Sequence, residues 1–88
     1  MNTMAPDQFL KVAAQKMPSE FKTLTVLACN VVQAQTDGNL KYPEKREVVK
    51  KARKELSSQY QTLLISAKAQ GYGPKEKIGP YQIVNFLV

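Results

Sequence analysis

Apolar residues recur every three or four positions along most of this chain, the spacing that gathers them on one face of a helix. The first run extends from about Ala5 to Met17, with Phe9, Leu10, Ala13 and Met17 sharing a face. Pro6 suits its first turn, where a missing amide hydrogen costs nothing, and Asp7 follows where the helix dipole favours an acid. Pro18 interrupts the run, because the residue before a proline is pushed out of helical geometry.

A second run, Ser19 to Gln35, lines up Phe21, Leu24, Leu27, Ala28, Val31 and Val32. Ser19 is its expected N-cap, with Glu20 in the first turn. Thr23, Thr25, Val26, Val31 and Val32 are β-branched and prefer strands. Length decides for helix, since about 16 residues without a breaker is long for a strand in a small domain. Thr36, Asp37, Gly38 and Asn39 supply the following turn, and Gly38 is expected to take the left-handed conformation that ends a helix.

The third run is the strongest. Pro43 and Glu44 open it, Gly71 closes it, and Lys68 stands in the last turn where the dipole favours a cation. Val48, Ala52, Leu56, Tyr60, Leu63 and Ala67 recur at helical spacing, widened by Val49 and Leu64, over an arc of about 160°. Beyond it, the segment 71–80 is rich in glycine and proline and reads as a loop. The final YQIVNFLV is apolar enough to require burial. It fits a buried strand or a short helix opened by Pro80; with no second convincing strand to pair with, a docked helix or extended tail is expected. The predicted architecture is all-α: one domain over 1–88, with three helices and a Pro/Gly-rich loop leading to a C-terminal apolar segment.

Charge adds a feature that the periodicity lacks. The 88 residues hold 13 Lys and Arg against seven Asp and Glu, a net charge of +6. Seven of the basic residues and three of the acids lie between Lys41 and Glu55, at the start of the third helix. On a helical wheel Arg46, Lys50, Arg53, Lys54 and Lys68 flank the apolar arc on one side. Glu44, Glu47 and Glu55 fall on the opposite side with Lys51, four residues from both Glu47 and Glu55 and able to pair with them.

The chemistry this composition excludes is broad. There is no histidine and a single cysteine, so neither a disulfide framework, a Ser–His or Cys–His pair, nor a zinc ligand set is expected. Cys29 lies in the apolar run TVLACNVV and reads as a small buried hydrophobe. Asp7, Glu20, Asp37 and Glu76 fall near helix ends or loops, where capping and dipole roles account for them. Gly71, Gly73 and Gly79 do not make a phosphate-cradling loop, because a helix precedes them and Pro74 and Pro80 remove amide donors. No cofactor, no metal and no enzymatic activity are predicted. The N-terminus has neither a basic n-region nor an apolar h-region, and no stretch is long enough to span a bilayer. The expected compartment is cytoplasmic, without a membrane partner.

What remains is binding. A pI of 9.6 and a cationic helix flank fit a nucleic-acid partner. Arg46, Lys50, Arg53 and Lys54 are the expected phosphate contacts, supported by Lys45 and Lys51, with Tyr42 as a stacking group at the helix start and Tyr72 as another beyond its end. Eleven lysines against two arginines argue against specific base readout. The segment from Thr36 to Tyr42 is too long for the turn of a helix-turn-helix motif. A membrane-surface role fits poorly, because the apolar face lacks tryptophan and is needed by the core. The same flank also suits an adaptor or inhibitor docking on an acidic protein. Ile65, on the otherwise polar side of the third helix, suits a partner anchor or a homodimer seam. A structural subunit of a larger assembly is the third alternative, and a plainly solvated lysine-rich face is the least demanding account.

Overall fold

A computed structural model describes residues 2–88. The elements in chain order are β1 (Asn2–Met4), α1 (Pro6–Lys16), α2 (Pro18–Thr36), α3 (Tyr42–Ala69), β2 (Tyr72–Pro74) and α4 (Pro80–Leu87). The protein is therefore predominantly α-helical, as the periodicity predicts; the apolar tail forms the short helix opened by Pro80, one of the expected outcomes, and a small strand pair is the one addition.

Each helix starts on a proline at N1 or N2, where the missing N–H would have no intrahelical partner. Pro18 thus opens α2 as well as closing α1. Met17, not Ser19, occupies the N-cap of α2, and no side chain caps it. The threonines of α2 stay helical by back-bonding. Thr23, Thr25 and Thr36 donate to the carbonyls four residues earlier at 3.2, 3.0 and 2.9 Å, which absorbs hydroxyls that otherwise favour extended structure. Gly38 does not end α2, since Gly71 (φ 93°) is the only described residue with positive φ. Asp37 serves as the C-cap instead, and its Oδ1 accepts the Asn39 amide at 2.9 Å. At the far end of α3, Gly71 takes the left-handed conformation and donates its amide to the Lys68 carbonyl at 3.0 Å.

That reversal carries the chain back along the bundle, so the segment 71–80 is not simply a loop. Tyr72–Pro74 pairs in parallel with Asn2–Met4, in the register Asn2 to Tyr72 and Met4 to Pro74. The three intervening helices form the crossover that a parallel pair requires. The Asn2 amide donates to the Gly71 carbonyl at 2.9 Å and the Lys75 amide to the Met4 carbonyl at 2.7 Å. Ile78 is buried before α4 begins.

The core draws on every helix: Phe9, Leu10 and Ala13 of α1; Leu24, Ala28 and Val31 of α2; Leu56, Tyr60, Leu63 and Ala67 of α3; Ile83 and Val84 of α4. Met17, Tyr72 and Ile78 complete it, and α2 against α3 is the most extensive contact between elements. Two positions depart from the sequence reading. Cys29 is exposed, because one residue past buried Ala28 turns it about 100° away from the core. Val48 is 43% exposed, since the first fully buried residue of α3 is Leu56.

Phe9 lies between two tyrosines. Its ring meets Tyr60 edge-on at 6.3 Å and Tyr72 at a 48° tilt and 5.8 Å. Both phenol hydroxyls are buried without a partner in the protein. Burial pushes the Tyr60 pKa from 10.0 up to about 12, and burial followed by the nearby Glu20 charge raises that of Tyr72. The folded state therefore keeps protons that the unfolded chain releases near pH 10, so stability is fully present below about pH 10 and falls as pH rises toward about 12. A shift of that size corresponds to roughly 3 kcal/mol for Tyr60. Tyr60→Phe should raise stability at neutral pH by about 1 kcal/mol, by removing a buried unsatisfied hydroxyl. It should also make the alkaline loss shallower. Denaturant titrations of both proteins at neutral pH and above pH 10 measure the two effects, and an equal alkaline loss in the variant would contradict the assignment.

Candidate functional site

The charged half of α3 lies outside the packed region of the molecule. Its 28 residues span about 42 Å at 1.5 Å each, close to the 45 Å long axis of the whole fold. α4 meets α3 near Arg53 and Ser57, and no residue of α3 before Leu56 is fully buried. The sequence 42–55 thus forms one half of a helical hairpin whose tip projects beyond the core, with its cations on an unburdened surface.

Three adjoining concavities run along this surface. The first is lined by Tyr42, Pro43, Arg46, Glu47, Lys50 and Arg53. The second is lined by Lys50, Arg53, Lys54 and Ser57 with Pro80 of α4. The third holds Glu47, Lys50, Lys51 and Lys54. Lys50 belongs to all three, so they form one continuous shallow trough. Arg46 and Arg53, seven residues apart, are separated by about 10 Å along the helix axis. Tyr42, 76% exposed, stands at the outer end.

Six of the eight predicted residues therefore line the trough: Tyr42, Arg46, Lys50, Lys51, Arg53 and Lys54. Lys45 does not. It is half-buried, on the side of α3 that bears the apolar arc. Glu47, expected on the far side, lines two of the concavities and dilutes the positive field there. Neither anticipated pairing of Lys51, with Glu47 or with Glu55, closes into an ion pair. Tyr72 cannot stack on a ligand, being buried beneath Lys16, whose Nζ lies 4.9 Å from its ring centroid.

The aromatic partner that sequence reasoning missed is Tyr81. Arg53 Nη1 donates to its hydroxyl at 2.8 Å, and the guanidinium carbon lies 5.4 Å from the ring centroid, within cation–π range. Arg53 Nε is buried with no partner in the protein. Nothing local in sequence links residues 28 positions apart. The only hint was Pro80, which marks a helix start and so places Tyr81 in a first turn.

A separate cleft forms where α1 meets α4, lined by Asp7, Leu10, Gln82, Asn85 and Phe86 among others. It offers one carboxylate and two amides with no cation, which is too little convergent chemistry to compete with the trough. Among the described residues no helix is long and apolar enough to cross a membrane. No family model, curated protein or solved structure matches this chain.

The projecting hairpin has a mechanical consequence. Val48→Ala should change stability by no more than about 0.5 kcal/mol, as for other surface positions. Leu56→Ala, two turns further on and fully buried, should cost about 2–5 kcal/mol. Comparable losses in chemical denaturation would show that the core extends into the cationic half of α3.

Proposed function

We propose that this is a non-catalytic nucleic-acid-binding protein that contacts phosphates through the cationic trough of α3. The observation that carries the reading is the clustering of Arg46, Lys50, Arg53 and Lys54 along adjoining concavities of one helix flank, with Lys51 beside Lys50 and Lys54. Cations spaced along one helix flank can replace condensed counterions along a phosphate backbone, and the counterion release drives association. The helix holds the charges at fixed spacing, so little ordering entropy is lost when they engage. Lysine predominates over arginine, which favours backbone contact over base-edge recognition. The expected activity is therefore sequence-tolerant and strongly salt-dependent.

An acidic protein surface is the competing partner, and exposed Ile65 (68%) is its one supporting feature. Ile65 lies beyond the trough, near none of the residues that line it, so it adds no apolar anchor to the cationic surface.

The test is a titration of labelled nucleic acid at several salt concentrations. Contact with about five phosphates predicts a log–log slope near −4.5 on duplex and −3.5 on a single strand. Arg46→Glu combined with Lys50→Glu should weaken binding to every sequence alike and reduce the magnitude of the slope by about two. Absence of binding at low salt sinks the proposal. A binding curve indifferent to the double change would place the contact surface elsewhere.

A further inference from the structure

We infer that the preferred ligand of the trough is single-stranded: one phosphate seats in the notch between α3 and the start of α4, and an adjacent unpaired base stacks on Tyr81. This rests on the nucleic-acid reading above and narrows it to a strand form and a named stacking residue.

The notch is the part of the trough where two helices meet. Lys50, Arg53, Lys54 and Ser57 supply its α3 wall and Pro80 its other side. Three cations and a hydroxyl around one concavity match the acceptor-rich surface of a phosphate. Arg53 is incompletely satisfied there. It makes a single hydrogen bond within the protein, to the Tyr81 hydroxyl, and its Nε has no partner. A neutral phenol is a weak counterpart for a guanidinium, which pairs most strongly with a carboxylate or phosphate. An arriving phosphate therefore offers Arg53 more than its present contact does.

Tyr81 determines which kind of strand gains most. It is 49% exposed, stands one residue after the notch wall, and is steadied by Arg53 at its hydroxyl. A partly exposed ring beside a phosphate site is a stacking platform on the side that the guanidinium, 5.4 Å from its centroid, does not cover. Bases inside a duplex are stacked on each other and cannot use it. A second exposed ring, Tyr42, stands at the outer end of the trough, 11 residues before Arg53 and about 16 Å from it along α3. Aromatic rings at both ends of a cationic strip form the pattern by which sequence-tolerant proteins hold single strands.

The experiment compares a short fluorescent oligothymidine with a duplex of equal length, by anisotropy at low salt, for the wild-type protein, Tyr81→Ala and Tyr81→Phe. The wild type should bind the single strand more tightly. Tyr81→Ala should lower single-strand affinity roughly 5- to 150-fold, the range for losing one base–aromatic stack, and lower duplex affinity by a smaller factor. Tyr81→Phe keeps the ring without the hydroxyl and should retain single-strand binding. Circular dichroism confirms that both variants remain helical. Equal affinity for the two probes, no effect of Tyr81→Ala, or an equal loss in Tyr81→Phe overturns the stacking inference while leaving the cationic trough in place. Failure to bind either probe overturns the nucleic-acid reading itself.

Discussion

Phe9 ties together the parts of the chain that would otherwise have no reason to meet. Its buried ring contacts Tyr60 of α3 and Tyr72 of β2, joining the first helix to the longest helix and to the strand that follows it. Aromatic pairs of this kind add about 0.5–1.5 kcal/mol each beyond the area they bury. Their geometric consequence is larger. Tyr72 can reach Phe9 only because Gly71 adopts φ 93° and reverses the chain at the end of α3, and with Tyr72 in place the strand beside it falls against Asn2–Met4. The hydroxyls of both tyrosines are buried without partners, so the core takes the rings at some cost in unmet hydrogen bonding.

Concentrating the core at that end explains why the cations stand where they do. α1, β1 and β2 gather near the C-terminal half of α3, and α4 crosses at Arg53 and Ser57. No residue of α3 before Leu56 is fully buried, so the cations there stay on the surface. Its charge pattern is not chosen for helix stability. Arg46 and Lys50, and again Lys50 and Lys54, are like charges four residues apart, each pair costing about 0.2–0.5 kcal/mol. Glu47 and Glu55 can offset only part of that. On the proposed function, a polyanion laid along the trough would remove that repulsion and so stabilise the helix locally.

The helices were legible because their signal is redundant. Phe9, Leu10 and Ala13, or Leu56, Tyr60, Leu63 and Ala67, repeat the same phase over several turns, and single exceptions do not erase it. What escaped was short or non-local. Three-residue strands contain too few positions to display a period, so β1 and β2 left no trace in the pattern. Cys29 was misplaced because hydrophobic composition was read where phase decides. Val48 kept the right phase but lies beyond the reach of the core, which periodicity does not encode. Ser19 and Gly38 are plausible caps, but Pro18 starts α2 a residue earlier and leaves the N-cap to Met17, and Asp37 takes the C-cap. Of the trough, six residues were legible because they share one helix; Tyr81 was not, because its neighbour Arg53 comes from a different element.

The placement of Tyr81 illustrates how a surface group acquires precision from the interior. Pro80 fixes the first turn of α4, and the Gln82 side chain accepts the Gly79 amide at 2.8 Å, which sets the angle at which the chain enters that helix. Ile83 and Val84, both buried, then fix the rotation of α4 about its axis. With entry angle and rotation both constrained, Tyr81 has one direction left, toward Arg53 on the rim of the notch. The apolar tail of the chain thus does more than close the core. It carries an aromatic ring from the far end of the sequence to the one stretch of α3 where the cations converge.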